Sequence, residues 1–169
     1  MNKLSTERLF VIDPYNEQHR KMLKKFEEEN NITRKMSDQL EKLCTSVPKE
    51  TYLTEKKIKN EIEENLFLEK ESKIIDMCHL HVEKDIKIGR MNLAPIQNKE
   101  KTRKIIPLVK DYAFNTLNVA EVFIEVFSND KNLITYLDSH NYENLGEQDG
   151  KIIYLKEKEE EKDSQRMIS

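Results

Sequence analysis

Residues 87–142 read KIGRMNLAPIQNKEKTRKIIPLVKDYAFNTLNVAEVFIEVFSNDKNLITYLDSHNY. The spacing predicts a strand over Ile86–Ile96, a polar loop over Gln97–Arg103 and a helix over Ile105–Leu117. A strand over Val119–Phe127 and a helix over Asp130–His140 follow. Val122, Ile124 and Val126 alternate with Glu121, Phe123, Glu125 and Phe127, the two-residue period of a strand. Ile105, Ile106, Val109, Ala113 and Phe114 make a helical stripe. Pro107 has no N–H and fits only the first turn, so the helix starts near Lys104–Ile106. Strand, loop, helix, strand, helix with short connections is the order of an α/β layer. In such layers ligands gather at the carboxyl ends of strands, and a helix N-terminus offers N–H groups to an anion. The polar loop is therefore where a phosphate would sit.

Upstream, Arg8–Asp13 reads as a short strand stopped by Pro14, and Asn16–Asn30 and Thr33–Cys44 as amphipathic helices. Thr54 is expected to cap a third helix with Ile58, Ile62 and Leu66 as its stripe. Leu66–Lys70 and Lys73–Val82 read as antiparallel strands about the turn Glu71-Ser72. With Ile86–Ile96 they form a meander. Gly89 hints at a bend or bulge. Downstream, Asn144–Gln148 and Lys151–Lys156 flank Asp149-Gly150, a strong hairpin turn. Residues 1–156 read as one domain, and 157–169 as a charged tail.

The 169 residues carry a formal net charge of −3, which argues against a dedicated nucleic-acid binder; lysines in the loop are interleaved with glutamates. Cys44 and Cys78 are too few for a disulfide framework. No stretch approaches the ~20 apolar residues of a membrane span, so no membrane partner and a cytoplasmic location are expected.

The stretch Asp111–Gly146, with Tyr112-Ala113-Phe114, VAEVFIEVF, NLITYLDSHNY and the closing hairpin, resembles the second half of the Gcn5-related N-acetyltransferases, the GNAT superfamily. The ERLF segment near Glu7 resembles its first strand. The resemblance implies a mixed, mostly antiparallel twisted sheet of six to seven strands flanked by helices. It also implies acetyl-CoA as cosubstrate and a small-molecule or peptide amine as acceptor, and leaves room for a homodimer. The family's pyrophosphate loop, Gln/Arg-x-x-Gly-x-Gly/Ala, falls with Gln97 at its first position; Glu100 and Thr102 stand where small residues are usual. Gln97, Asn98, Lys101, Thr102 and Arg103 would meet the pyrophosphate, and Met91, Asn92 and Leu93 the pantetheine. The family's Asn and Tyr of the last helix fall at Asp130 and Leu137, one residue from Asn129 and Tyr136. Asn129 is carried over toward the cofactor and Tyr136 as the acid for the leaving thiolate.

Acetyl transfer to an amine needs a polarised carbonyl and a base. Backbone N–H groups of a bulged strand can polarise, and that strand would be Lys87–Leu93. Asp76, His79, His81 and Glu125 lie on strands that would flank the cleft, and none is singled out as the base; His79 and His81 are two apart and share one strand face, and a histidine near neutral pKa is a reasonable base. A metal site is not expected, because Cys78 points to the other face and no third ligand falls at a recognised spacing. The competing reading is a GNAT-shaped binding or assembly module that has lost its CoA site, motivated by the missing glycines and the displaced tyrosine.

Overall fold

The computed structural model describes residues 6–97 and 103–159. The order is β1 (Arg8–Val11), α1 (Glu17–Glu29), α2 (Met36–Ser46), α3 (Lys49–Ile58), β2 (Glu61–Lys70), β3 (Lys73–Glu83), β4 (Ile88–Leu93), α4 (Ile105–Asp111), a π-helical turn (Tyr112–Thr116), β5 (Glu121–Phe127), α5 (Lys131–Ser139), β6 (Glu143–Gln148) and β7 (Lys151–Glu157). The seven strands form one sheet in the order β1-β2-β3-β4-β5-β7-β6. Only β4 and β5 run parallel; every other pair is antiparallel. This is the mixed, mostly antiparallel sheet expected.

Strand alternation separates two cores. Leu66, Cys78, Leu80, Met91, Val122 and Ile124 face α4 and α5. Phe67 and Met77 face the other way, onto Leu23 and Phe26 of α1 and Leu40 of α2. Asn16 starts α1 by accepting the His19 N–H at 3.1 Å. Residue 35 gives α2 no side-chain cap. The buried Glu27 of α1 supplies one instead, accepting the Ser37 N–H and hydroxyl at the α2 N-terminus. A carboxylate there also meets the positive end of the helix dipole.

Several features differ from the sequence expectation, among them the strand expected over Ile86–Ile96, which spans Ile88–Leu93. The third helix runs Lys49–Ile58, so Thr54 lies inside it, donating to Glu50 O at 2.8 Å, and does not cap it; Ile62 and Leu66 belong to β2 instead. Leu66 pairs with Cys78, and Ile62 with Val82. Gly89 makes no bulge, because the β3–β4 register runs unbroken from Cys78↔Leu93 to Glu83↔Ile88. A side chain there would only touch Val119, Leu80 and Val82 at ordinary contact distance. The helix over Ile105–Leu117 is α-helical only to Asp111 and then widens into the π-helical turn. Asn118, at φ 57°, reverses the chain, and Val119 N–H donates to Ala113 O at 3.0 Å before β5 begins. No helix of the described residues is long and apolar enough to cross a membrane.

Candidate active site at the split between two parallel strands

The parallel ladder is short. It runs from Ile88↔Glu121 to Met91↔Ile124 and stops, although β4 continues through Leu93 and β5 through Phe127. The two strands part at their carboxyl ends. β4 beyond Met91 is held by β3 alone, through His79↔Asn92 and Cys78↔Leu93. Ala94 N–H donates to Met77 O on β3 at 3.0 Å. N–H directions alternate along a strand, so the Leu93 N–H faces the opened side, toward β5.

A polar row leads away from the split on the α1–α2 face. Asn92 lies opposite His79, and His79 opposite Asn65. Directly opposed side chains have Cβ atoms ~5 Å apart. The next row is Arg90, His81 and Glu63. His79 is half-buried, and burial lowers its pKa from the ordinary 6.5; Glu63 acts against that and His81 with it. It is therefore neutral, with a free lone pair, at physiological pH. His81 Nε2 lies 3.4 Å from a Glu61 carboxylate oxygen.

The row ends in a cavity of 340 Å³ between the free edge of β2, the end of β1, and α2 and α3. β1 pairs with β2 from Leu66 to Glu69, and Ile12 N–H donates to Asn65 O at 2.7 Å, which leaves residues 61–64 open on that edge. Glu55, Glu61, Glu63 and Glu64 line it against Lys56 and Lys59, with Tyr52, Asn65 and His79. Glu64 is buried, accepts the Tyr112 hydroxyl at 2.6 Å and lies 3.7 Å from Lys56 Nζ. Asn65 Oδ1 is buried without a hydrogen-bond partner among the described residues.

No family model matches the sequence, and no curated protein matches it. Solved structures do match in shape. A protein titled apo FdhC, a nucleotide-linked sugar GNAT, superposes with a TM-score of 0.64 at 15% identity, covering 97% of this chain and 93% of its own. Spermidine N-acetyltransferase SpeG from Vibrio cholerae gives a TM-score of 0.62 at 15% identity over 89% of this chain and 93% of its own. N-acetyltransferase PseH from Campylobacter jejuni gives 0.57 at 18% identity over 90% and 99%. PseH is also known in complex with acetyl coenzyme A, at a TM-score of 0.56 and 17% identity. This chain has the GNAT fold.

In the GNAT frame the expected site residues fall into three groups. Met91, Asn92 and Leu93 are brought to the split, and His79 and His81 to the polar rows beside it. Gln97 instead turns to α1: its N–H donates to Asn30 Oδ1 at 2.9 Å and its Nε2 to Asn30 O at 3.0 Å. Asn98, Lys101 and Thr102, with Glu100, lie outside the described residues. Arg103 is only 12% exposed at its side chain and grips Asp76, with Nε and Nη2 at 3.0 and 2.7 Å from the two carboxylate oxygens. Its Nη2 also donates to Ala94 O at 2.7 Å. One guanidinium thus ties Asp76 of β3 and Ala94, just past β4, to the start of α4.

Across the sheet, Asp130 caps α5, accepting the Leu133 N–H at 3.3 Å, while Asn129 is exposed. Leu137 is fully buried. Tyr136 is half-buried and stacks on His140 with ring centres 4.0 Å apart; burial, then Asp111, raises its pKa. Cys78 faces this side too, and burial, then Asp76, pushes its thiol up to about 12, so it is no nucleophile at neutral pH.

Glu63, Glu64 and Asn65 are hidden in the sequence because Ile58, Ile62 and Leu66 also fit a helical stripe. The signal was present: Ile62, Glu64, Leu66 and Leu68 alternate with Glu61, Glu63, Asn65 and Phe67.

Proposed function

We propose that this GNAT-fold chain transfers an acetyl group from acetyl-CoA to an amine by direct attack. The observation that carries the reading is the continuous polar row from an acidic cavity, through His79, to the open end of the β4–β5 split. The residues present fit an acyl-CoA: β4 turns the Leu93 N–H into an open split. Acetyl-CoA supplies an activated acyl group when bound.

The chain does the rest. Met91–Leu93 line the acyl-donor arm, and the Leu93 N–H polarises the carbonyl where negative charge develops. Asn98, Lys101, Thr102 and the start of α4 would meet the diphosphate. The carboxylates around the cavity hold a cationic amine acceptor, which can be a small molecule or a peptide. His79, neutral because it is partly desolvated, takes the ammonium proton and frees the nitrogen lone pair to attack. As the C–N bond forms and the C–S bond breaks, the second proton would pass from nitrogen to the sulfur, with Tyr136 the candidate acid for that transfer.

The test is acetyl transfer to a panel of amines, with isothermal titration of acetyl-CoA. The expected result is binding, turnover, and an acid limb in the pH profile below 6.5, the ordinary histidine value. His79→Gln should lower kcat/KM by about 10²–10⁴-fold and abolish that limb. His81→Gln should move the limb upward, because His81 helps to hold His79 down. No heat of binding and no turnover at millimolar acetyl-CoA would leave the fold serving as a binding module.

A further inference from the structure

β2 runs Glu61–Lys70, and β1 covers only its second half. Successive residues of a strand present their N–H and C=O to opposite sides. Lys84 N–H donates to Asn60 O and Ile12 N–H donates to Asn65 O, which fixes the sense of the alternation. Ile62 and Glu64 therefore turn their backbone groups to β3. Glu61 and Glu63 turn theirs outward, past the end of β1. The lane beside them is the 340 Å³ cavity, a size within the range of ligand pockets, and α3 forms its far wall.

An open strand edge is a template for another strand. The charges beside it select the guest. Glu55, Glu61 and Glu63 line the lane, while Lys56 is engaged by the buried Glu64 at 3.7 Å. A second copy of the same edge would set carboxylates against carboxylates, and like charges directly opposite are destabilising. A basic segment meets no such penalty, and Leu40 and Leu43 offer its apolar side chains a surface at the other end of the cavity. Asn65 gives an independent mark. It lies directly opposite His79, lines the same cavity, and its Oδ1 is buried without a hydrogen-bond partner among the described residues. A buried acceptor left unpaired destabilises a fold, and a lysine ammonium brings three donors. Strands lie about 4.8 Å apart, so a guest strand would stand about 10 Å from β3. A lysine there, on its four-carbon stem, reaches over Asn65 toward His79. We propose that the free edge of β2 takes up an extended, lysine-bearing peptide segment as an added strand in line with β1. This goes beyond the acetyl-transfer reading, which admits small molecules and peptides alike; only the delivery of a lysine amine to His79 rests on it.

The test titrates a capped hexapeptide of alternating valine and lysine into the whole chain without acetyl-CoA. A saturable heat is expected, and none from the counterpart with glutamate in place of lysine. Two further versions carry backbone N-methyl groups, one on the valine amides and one on the lysine amides. Only one set of amides faces β2, so one version should lose about tenfold or more in affinity and the other should bind like the parent. Amide exchange at Glu61 and Glu63 should slow on binding while Ile62 and Glu64 stay as they were. Glu63→Lys, at an exposed position, should weaken binding by about tenfold. No heat at millimolar peptide, or equal affinity for the two methylated versions, would overturn the proposal. So would protection of Glu61 and Glu63 without peptide in a protein that sediments as a dimer, since a second copy then fills the edge. Binding without acetylation once acetyl-CoA is added supports the strand-addition site and counts against the acetyl-transfer reading. Turnover of free amines without peptide binding removes the strand-addition site alone.

Discussion

Arg103 and Asp76 form a buried ion pair beside the split. Asp76 is 5% exposed at its side chain and receives two guanidinium bonds, in the bidentate geometry that suits arginine and not lysine. Removing one partner of a buried pair leaves a desolvated charge behind, a loss of about 3–5 kcal/mol. Arg103→Met should therefore destabilise the protein by that amount in urea denaturation. Adding Asp76→Asn should restore part of the loss, since the orphaned charge is then gone. A loss under about 1 kcal/mol in the single variant would mean that the pair does not anchor the start of α4. Nothing in the sequence announced this partnership. Arg103 looks like any basic residue of a polar loop, and its partner lies 27 residues earlier on another strand. His79 and His81 were legible because a strand's two-residue period puts them on one face without further knowledge.

At the scale of elements, the misread boundary between α3 and β2 has a simple cause. Ile58, Ile62 and Leu66 are four apart, and a spacing of four fits both a 3.6-residue and a two-residue period. The structure resolves the ambiguity at Lys59-Asn60, after which strict alternation takes over. The π-helical turn at Tyr112–Thr116 was equally hidden, since one extra residue in a helix leaves the apolar stripe almost intact. The hairpin between β2 and β3 is legible in the sequence, but its strain is not. Glu71 and Ser72 both take left-handed conformations, at φ 52° and 65°. Two such residues in succession match a type I′ turn, which favours Asn-Gly. A side chain in this region is disfavoured by roughly 1 kcal/mol relative to glycine. The Ser72 N–H donates to Glu69 Oε1 at 2.7 Å, and glycine keeps that donor. Ser72→Gly should therefore stabilise the fold by about 0.5–1 kcal/mol, seen as a Tm rise of roughly 2–4 °C. A lower Tm would show that the serine side chain makes up for the strain.

For the molecule as a whole, the layer order was legible because each strand and helix carries its own period. The split was not, since the place where β4 and β5 stop pairing depends on the twist of the sheet and on the turns at Lys87 and Asn118, both at positive φ. The same assembly sets how stability depends on pH. His19 and His79 both have pKa values below the ordinary 6.5, burial being the main cause in each. The His19 Nδ1 also accepts the Asp13 N–H at 3.1 Å, a bond that needs an unprotonated nitrogen. The folded state therefore binds fewer protons than the unfolded chain as the pH drops through 6.5, so stability falls on that side. Cys78, Tyr112 and Tyr142 are shifted the other way, upward, chiefly by burial. The folded state holds these protons where the unfolded chain gives them up, so stability falls again as the pH rises past about 9. Urea midpoints measured from pH 5 to 10.5 should form a plateau between about 6.5 and 9 and decline on both sides. His19→Gln with His79→Gln should flatten the acid decline, and Tyr142→Phe should soften the alkaline one. A midpoint that climbs steadily as the pH falls from 7 to 5 would mean that these imidazoles gain a partner on folding rather than lose their water.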